Sequence, residues 1–322
     1  MAATVLAVDG NSLAHRAWHA LREERFDGPW VAHGVVRMLA TAWAYGPFDA
    51  VLVAFDSRTN VRKVRYPDYK ANREDKDPAF HEQFSQLREV VGACGFGDLV
   101  TEGYEADDVL AAVAAEAAGA GHTCYVLSSD RDLLALVSDR VWMLRPRGSM
   151  QDLTVYDPAG VEAEFGVPPE RYMELAALRG DTSDNLPGVH GIGAKTAAKL
   201  LRSFGNLAEL YAGLRWLPHD TANKLRAGRE HVDRNLELMA PMGEHAIGVE
   251  AAVALGVDVG HVVATLRERG LRAAANSFRF AYGRQPEPPP PPPIQDRGLV
   301  ARVDLSHLLE EPVPDAEQTA LF

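Results

Sequence analysis

Nine acidic side chains fall in five short stretches of the sequence, and their spacing predicts a metal centre. They are Asp9, Asp56, Glu105, Asp107, Asp108, Asp130, Asp132, Asp181 and Asp184. Several of them come directly after a short apolar run. We expect them at the carboxyl edge of a parallel sheet, where open α/β folds bind their ligands. Carboxylates crowded together raise one another's pKa and destabilise the fold unless cations lie between them. The set therefore predicts bound cations.

The ligand types indicate which ions these are and what chemistry they support. Oxygen ligands without His or Cys favour Mg²⁺ or Mn²⁺ over zinc. Two such ions roughly 4 Å apart form the usual clamp on a phosphodiester, in which one activates the attacking water and both neutralise developing charge. We expect two or more Mg²⁺ or Mn²⁺ ions and phosphodiester hydrolysis. A phosphatase that forms an aspartyl phosphate would need Asp-x-Asp after the first strand, where this sequence has Asp9-Gly10-Asn11.

Any one of these acids taken alone is more typical of a turn or of a helix cap. The prediction rests on their conjunction, and on the elements that must bring them together. Apolar runs at 4–8, 50–55 and 123–127 are typical of buried parallel strands. Helices are expected near 12–21, 33–45, 78–94, 106–118 and 131–136, with a hairpin near 141–156.

This alternation predicts an α/β fold with a mostly parallel central sheet flanked by helices. The strand signal then fades and short helices dominate. We therefore expect a nuclease-like core over residues 1–175, a smaller helical region over 176–282, and a Pro-rich linker with a flexible tail over 283–322.

Bulk composition narrows the class of protein. The 322 residues are 47% hydrophobic, enough to bury the cores of about two domains. Only Cys94 and Cys124 are present, no signal-like segment precedes the first apolar run, and no apolar stretch approaches the roughly 20 residues of a membrane span. We expect a cytoplasmic, nucleoid-associated protein that is not inserted in a membrane, and nothing in the sequence indicates more than a monomer.

The formal net charge of −12 looks wrong for a nucleic-acid binder, but the distribution of charge matters more than its sum. A local basic segment, interleaved with Tyr66 and Tyr69, contains Arg58, Arg62, Lys63, Arg65, Lys70, Arg73 and Lys76. Its cations would bind phosphate, and an aromatic such as Tyr69 would stack on an unpaired base of a single-stranded 5′ end. The alternative is an ordinary solvated loop.

A glycine-rich stretch follows Asp184 and precedes a helical run. Its candidate DNA-binding residues are Gly188, Gly191, Gly193, Lys195, Thr196 and Lys199. The stretch resembles a nucleotide-binding P-loop, but Ala194 separates Gly193 from Lys195 and so breaks the required spacing. We interpret it as a helix-hairpin-helix type of turn, whose backbone N–H groups hold a DNA phosphate without reading sequence. A merely structural helix connection is the alternative.

Taken together, these residues make the chain resemble the 5′ nuclease family: the 5′ nuclease domain of bacterial DNA polymerase I, phage 5′ exonucleases and flap endonucleases. The resemblance covers residues 4–280. It is carried by Val8-Asp9-Gly10-Asn11-Ser12, Phe55-Asp56, Tyr69-Lys70-Ala71-Asn72-Arg73, Gly103-Tyr104-Glu105-Ala106-Asp107-Asp108, Ser129-Asp130-Arg131-Asp132, Gly180-Asp181-Thr182-Ser183-Asp184-Asn185-Leu186-Pro187-Gly188 and Gly191-Ile192-Gly193-Ala194-Lys195.

The resemblance implies a PIN-like core, a helical arch over about 60–90 and a helix-three-turn-helix DNA-binding region. It assigns Asp9, Asp56, Glu105 and Asp107 to one metal ion. Asp107, Asp130, Asp132 and Asp184 would serve the other, with Asp108 and Asp181 as supporting or water-mediated ligands. Lys70 and Arg73 would orient the scissile phosphate from the arch, and Arg16 would contact phosphate. A potassium ion would bind at the glycine turn.

The implied substrate is branched, nicked or 5′-ended DNA. The implied activities are 5′-3′ exonuclease and flap cleavage, used in primer removal and repair. Arg131 stands where the family often has Lys, a change that keeps the charge but not its geometry. No polymerase region is present, so we expect coupling to synthesis through another protein.

The chain end suggests such a link. Gln318, Leu321 and Phe322 resemble the peptide with which bacterial replication proteins engage the sliding clamp, and a chance match in a disordered tail is the alternative. A DNA-binding module without catalysis, and a ribonuclease with a related acidic sheet edge, are the competing functions.

Overall fold

The computed structural model describes residues 2–21, 27–73, 77–148 and 152–282. Its centre is a six-stranded sheet in the order β3-β2-β1-β4-β5-β6. The strands are β1 Thr4–Asp9, β2 Ala50–Ala54, β3 Gly97–Leu99, β4 Thr123–Leu127, β5 Val141–Arg147 and β6 Asp152–Tyr156. All neighbouring strands are parallel except β6, which runs antiparallel to β5. The predicted α/β fold with a mostly parallel sheet is confirmed.

Helices cover both faces of this sheet. Those in the first half of the chain are α1 Gly10–Ala20, α2 Trp30–Ala42, α3 Val61–Arg65, α4 Pro78–Ala93 and α5 Ala106–Gly119. One face packs against α5 and the helices between residues 158 and 255, and the other packs against α1, α2, α4 and the helices between residues 259 and 282. Because β1, β2 and β4 are buried on both faces, their sequences are continuous apolar runs.

The second half is mainly helical. Its helices are α6 Pro158–Phe165, α7 Tyr172–Arg179, α8 Ala194–Phe204, α9 Leu207–Ala212, α10 His219–Ala227, α11 Arg229–Met239, α12 Val249–Leu255, α13 Val259–Glu268 and α14 Arg272–Tyr282. Short 3-10 helices occur at Trp43–Tyr45, Asp132–Leu136, Pro169–Arg171 and Leu214–Trp216. Two short strands, β7 Gly180–Asp181 and β8 Leu186–Pro187, pair antiparallel on either side of a turn.

Two features differ from the sequence-based expectations. The edge strand β3 was not predicted, because three residues carry too little periodicity to register. Helices α13 and α14 pack on α4 and α2, so the end of the predicted helical region, 176–282, belongs by its packing to the sheet's second face. Over the segment predicted as an arch, residues 60–90, the structure has α3, a turn that follows it and most of α4, which buries Phe80 and Leu87 in the core.

No single helix in the described part of the chain is long and apolar enough to cross a membrane; only the sharply bent pair α12 and α13, taken together, meets that length and composition. The predicted Pro-rich linker and the clamp-binding residues Gln318, Leu321 and Phe322 lie outside the described residues.

Candidate metal centre and nucleic-acid interface

One cavity of about 770 Å³ collects most of the predicted acids at the carboxyl edge of the sheet. The carboxylates that line it are Asp9, Asp56, Glu105, Asp107, Asp130, Asp132, Asp181 and Asp184. Lys70, Arg73 and Arg16 line the same cavity. The sequence-based grouping of these residues therefore matches their placement, apart from Asp108.

Asp9 and Asp56 leave neighbouring strands and are held by short polar contacts. Asp9 ends β1 and caps α1: its carboxylate accepts from the Ser12 backbone N–H at 2.8 Å and from the Ser128 hydroxyl at 2.6 Å. Asp56 follows β2 and accepts from the Asn11 side chain at 2.8 Å and from the Ala106 backbone N–H at 2.9 Å. These bonds fix the orientation of both carboxylates.

The start of α5 supplies the next acids. Glu105 is the N-cap residue, and a capping box links it to Asp108: the Asp108 carboxylate accepts from the Glu105 backbone N–H at 3.0 Å. Asp107, in the first turn, faces the cavity. Asp108 faces the other way and is buried against Arg62, so it does not line the cavity. Asp108 was predicted to be a supporting ligand, but the structure places its side chain outside the cavity. The reason is that successive helical residues point about 100° apart.

Two turns carry the remaining acids. The Asp130 side chain accepts from the Asp132 backbone N–H at 2.9 Å, which shapes the loop after β4. The Asp181 side chain accepts from the backbone and hydroxyl of Ser183 in the turn between β7 and β8. Asp184 lies in the same turn and accepts from Arg73 at 2.5 Å.

Crowding and burial perturb the acids of this cavity. Burial, followed by the charges of Asp130 and Asp56, raises the pKa of Asp9 to about 7, although hydrogen bonds from Ser12 and Ser128 act in the opposite direction. Burial and then Asp130 and Asp181 raise the pKa of Asp132 to about 7. Burial and the charges of Asp130 and Asp9 raise the pKa of Asp107 well above its ordinary value. The positive charge around Asp9, Asp107 and Asp132 is therefore too small to offset burial and the repulsion between the carboxylates.

Glu105 behaves differently because it has cations beside it. Burial alone would raise its pKa, but Lys70 and then Arg62 outweigh burial, and the pKa of Glu105 is lowered. As the side chains stand, no group of three or more Asp, Glu, His or Cys residues among those described is arranged to hold a metal ion. Lys70 and Arg73 instead pair with Glu105 and Asp184.

The donor set nevertheless fits hard divalent ions. Most of the donors are carboxylate oxygens, which Mg²⁺ and Mn²⁺ prefer. Among the described residues, the cavity lining contains no thiol, and its only imidazoles are those of His15 and His19. A divalent cation between Asp9, Asp107 and their neighbours would offset the repulsion that raises their pKa values.

The turn that carries Lys70 and Arg73 is docked on the turn that carries Asp184. The Lys70 backbone N–H donates to the Asp184 carbonyl at 3.0 Å, and Asn72 donates to the Thr182 carbonyl at 2.7 Å. Lys70 has a φ of 56°, which is unusual for a residue other than glycine. Its ammonium group lies 2.5 Å from Glu105 and 3.8 Å from Asp184. Basic segment and acidic turn thus form one unit.

Tyr69 does not have the predicted stacking role. Its ring is 5% exposed and packs with Leu186 and Leu238. Its hydroxyl donates to Glu105 at 3.0 Å. A buried ring cannot stack on an unpaired base, so Tyr69 orients a carboxylate instead.

Arg16 lines the carboxylate cavity, and its guanidinium donates to the carbonyls of Arg147 and Gly148 at 3.0 and 3.1 Å. Burial, and then the neighbouring charge of Arg145, lowers the pKa of Arg16. Arg145 also lines the cavity, and its guanidinium donates to the Ser129 carbonyl at 3.2 Å.

The glycine turn lies in a second cavity of about 650 Å³. The buried side chains of Val189 and Ile192 anchor the turn to the protein core. Gly191, Gly193 and Lys195 are exposed. Gly191 has a φ of +76°, which a residue with a side chain rarely adopts. Gly193 is the N-cap of α8 and offers no side-chain cap. The first N–H groups of α8 therefore remain available for an anion.

A Cβ on Gly188 would lie 2.3 Å from the Arg179 backbone, so only glycine allows this close approach. Of the other predicted contacts, Thr196 is exposed and Lys199 half-buried in the first two turns of α8. Gly188, Gly191 and Gly193 thus line the second cavity, and Lys195, Thr196 and Lys199 follow in the first two turns of α8.

Several residues of the two sites were missed from the sequence. Arg179 lines both cavities and so connects them. Lys224 and His231 line the glycine-turn cavity from α10 and α11. Asn11 orients Asp56, and its position two residues after Asp9 was the available signal. No spacing rule links Arg179 or Lys224 to either site, because tertiary packing alone brings them there.

Comparisons with known proteins agree with this arrangement. A family model described as "5'-3' exonuclease, N-terminal resolvase-like domain" matches residues 4–166, and "5'-3' exonuclease, C-terminal SAM fold" matches residues 167–252. The DNA polymerase I of Mycobacterium tuberculosis (strain ATCC 25618 / H37Rv) is 40% identical over 241 residues, 73% of this chain and 27% of that protein. The thermostable DNA polymerase I of Thermus thermophilus is 39% identical over 239 residues, covering 73% and 28%.

The chain thus spans about a quarter of the length of these curated relatives. Among solved structures, a complex of the bacteriophage T5 flap endonuclease with DNA and metal ions matches with a TM-score of 0.60 and 24% identity, covering 87% of this chain and 100% of that chain. At this level of identity the likeness shows a shared fold.

Proposed function

The chain belongs to the 5′-3′ exonuclease family of nucleases, and from that premise we propose that it is a divalent-metal-dependent enzyme that cleaves DNA at 5′ ends and 5′ flaps. The observation that carries the proposal is the convergence of eight carboxylates with Lys70, Arg73 and Arg16 in one cavity. A domain that had kept the fold for binding alone would have no reason to retain so many mutually repelling acids.

The carboxylates would hold two ions, Mg²⁺ or Mn²⁺. By the family resemblance, Asp9, Asp56, Glu105 and Asp107 would serve one ion, and Asp107, Asp130, Asp132 and Asp184 would serve the other; all seven line the same cavity. When bound, the ions would supply an activated water and neutralise charge on the phosphate. The protein's own contribution is orientation: Ser128, Asn11 and backbone N–H groups fix the carboxylates before any ion arrives.

Lys70 and Arg73 would bind the scissile phosphate. Both lie on the cavity wall, and both already neutralise carboxylates there. A phosphate entering the cavity offers these cations a new anionic partner once metal ions satisfy Glu105 and Asp184. Lys70 and Arg73 would then stabilise charge that develops on the phosphate during hydrolysis.

The glycine turn would hold the duplex. Arg179 lies between the two cavities, so a DNA strand could follow a basic path from the turn to the carboxylates. Contacts of this kind go to phosphates and do not read sequence. Four further points extend the proposal and rest on the sequence alone. They are a potassium ion at this turn, a role in primer removal and repair, a monomeric state, and a tether to the sliding clamp through the C-terminal tail.

We expect Lys195→Ala to weaken binding of a nicked or flap duplex about three- to tenfold, and to lower the slope of log affinity against log salt by about 1. The rate of cleavage at saturating enzyme should not change, because Lys195 lies outside the carboxylate cavity. Arg267→Ala, which removes a cation from α13, outside both cavities, is the control. Equal effects of the two variants would contradict a specific contact at the turn.

The function itself is tested by cleavage of a 5′-labelled flap duplex with Mn²⁺, Mg²⁺ or EDTA. We expect cleavage near the junction with either ion and none with EDTA. Tight flap binding without cleavage under any ion would favour a DNA-binding module without catalysis. Faster cleavage of an RNA 5′ strand than of a DNA strand would favour a ribonuclease.

A further inference from the structure

Arg62 is a buried cation whose hydrogen-bonding capacity is fully used. It is 3% exposed, and its guanidinium carries five N–H donors. The Nε donates to the Leu238 carbonyl at 2.7 Å. The terminal nitrogens donate to the two Asp108 oxygens at 2.6 and 2.7 Å and to the Ala240 carbonyl at 2.9 Å. The remaining N–H, on Nη1, is on the side of Glu105, whose carboxylate lies 3.3 Å from Nη1.

Arg62 and these partners come from three distant parts of the chain. Arg62 belongs to α3, just before the turn that carries Lys70. Asp108 and Glu105 open α5, and the carbonyls of Leu238 and Ala240 end α11. One guanidinium thus joins α3, the first turn of α5 and the end of α11 at a single point.

Asp108 completes this junction from the opposite side. It is 1% exposed, and besides Arg62 it accepts from the backbone N–H groups of Glu105 at 3.0 Å and Met242 at 2.7 Å. Its oxygens are therefore committed to protein donors. Glu105 has its backbone held by Asp108 and its carboxylate held by Arg62, Tyr69 and Lys70.

We propose that Arg62 and Asp108 are a positioning pair, which sets Glu105 for metal binding and fixes the Lys70 turn beside it, without either residue touching a metal ion or DNA. The inference rests on the proposed function, because it concerns the metal centre. Partners behind a ligand shell orient the ligands, and their loss typically lowers metal affinity about 10- to 100-fold. Arg suits this place because its planar fork reaches several acceptors at fixed angles, which a Lys ammonium group cannot do.

The test is Mn²⁺ binding by Arg62→Lys, measured by titration at a temperature at which thermal unfolding shows the variant to be folded. Lysine keeps the charge but not the fork. We expect the dissociation constant for Mn²⁺ to rise about tenfold or more, with the number of ions per chain unchanged. Arg88→Lys is the matched control, because Arg88 makes a two-pronged pair with Asp98 outside the cavity.

A second variant covers the case in which Arg62→Lys does not fold. Arg62→Met combined with Asp108→Asn leaves no buried charge unpaired and keeps an amide oxygen for the Met242 N–H. The same loss of Mn²⁺ affinity at unchanged stoichiometry supports the positioning pair. Loss of one bound ion in this variant would instead make Asp108 a ligand and overturn the proposal.

Normal Mn²⁺ affinity in a folded variant would also overturn it, and would leave Arg62 a purely structural residue. The proposed function fails in a different way, since the wild-type protein would then neither bind Mn²⁺ nor cleave a flap.

Discussion

Asp107→Asn should slow cleavage of a 5′-flap duplex at least about a hundredfold while making the metal-free protein more stable. Asp107 lines the carboxylate cavity, and the family resemblance assigns it to both proposed ion positions. Asparagine keeps the shape of the side chain but removes the charge that would bind both ions.

The gain in stability follows from the pKa of Asp107, which burial and the charges of Asp130 and Asp9 raise above its ordinary value. A raised pKa means that the folded state binds the proton more tightly than the unfolded state. Ionised Asp107 therefore lowers the free energy of unfolding when the pH is above its folded-state pKa, and this penalty fades as the pH falls towards the unfolded-state value. Asparagine removes the penalty at every pH.

Thermal unfolding at pH 8 in EDTA, beside the cleavage assay, measures both effects. We expect the midpoint for Asp107→Asn to rise by on the order of 2–4 °C, the shift that about 1 kcal/mol produces in a protein of more than about 150 residues. Added Mn²⁺ should stabilise the wild type more than the variant. Asp98→Asn, outside the cavity in an ion pair with Arg88, is the control and should leave cleavage unchanged. A less stable Asp107→Asn protein that cleaves within tenfold of the wild-type rate would contradict the prediction.

The strands and the acids that follow them could be predicted because both depend on local pattern. Asp9 and Asp56 follow apolar runs that form adjacent parallel strands, and parallel strands end at one edge of the sheet. The burial of Tyr69 could not be predicted in this way. It depends on Leu186 and Leu238, which are more than a hundred residues away in sequence. The same sequence pattern of basic and aromatic residues occurs in an exposed loop and in a loop that packs on a second turn.

Asp108 shows a different limit. Its sequence neighbour Asp107 faces the cavity, and the rotation of about 100° per helical residue already requires the two side chains to diverge. The sequence pattern does not show that a buried cation, Arg62, pairs with Asp108. Arg62 lies in a basic segment whose other members suggest a solvated or DNA-binding face, and only the packing of α11 against α3 removes it from solvent.

Lys70→Ala should separate metal binding from cleavage. In the metal-free protein, burial would lower the pKa of Lys70, but Glu105, Tyr69 and Asp184 together more than offset burial and the pKa is raised, so the ammonium group stays charged. It lies 2.5 Å from Glu105 and therefore competes with any ion for that carboxylate. Removing it should leave Mn²⁺ affinity unchanged or a few-fold tighter.

Cleavage should change in the opposite direction. At saturating Mn²⁺ and DNA, the rate for Lys70→Ala should fall at least about tenfold, since a charge aimed at the transition state is lost. Binding of the flap duplex should weaken less than the rate. The measurements are an Mn²⁺ titration and single-turnover cleavage. Arg267→Ala is the control, because Arg267 is exposed on α13 and lines neither cavity.

The pattern of losses identifies the role of the lysine. Equal falls in DNA binding and rate would make Lys70 a docking residue. A fall in Mn²⁺ affinity would show that the ion pair with Glu105 is needed to build the site, and that the positive φ of Lys70 serves to hold the acidic turn in place. Tighter Mn²⁺ binding with slower cleavage would instead identify Lys70 as a cation that leaves the carboxylates for the phosphate when the metal ions arrive.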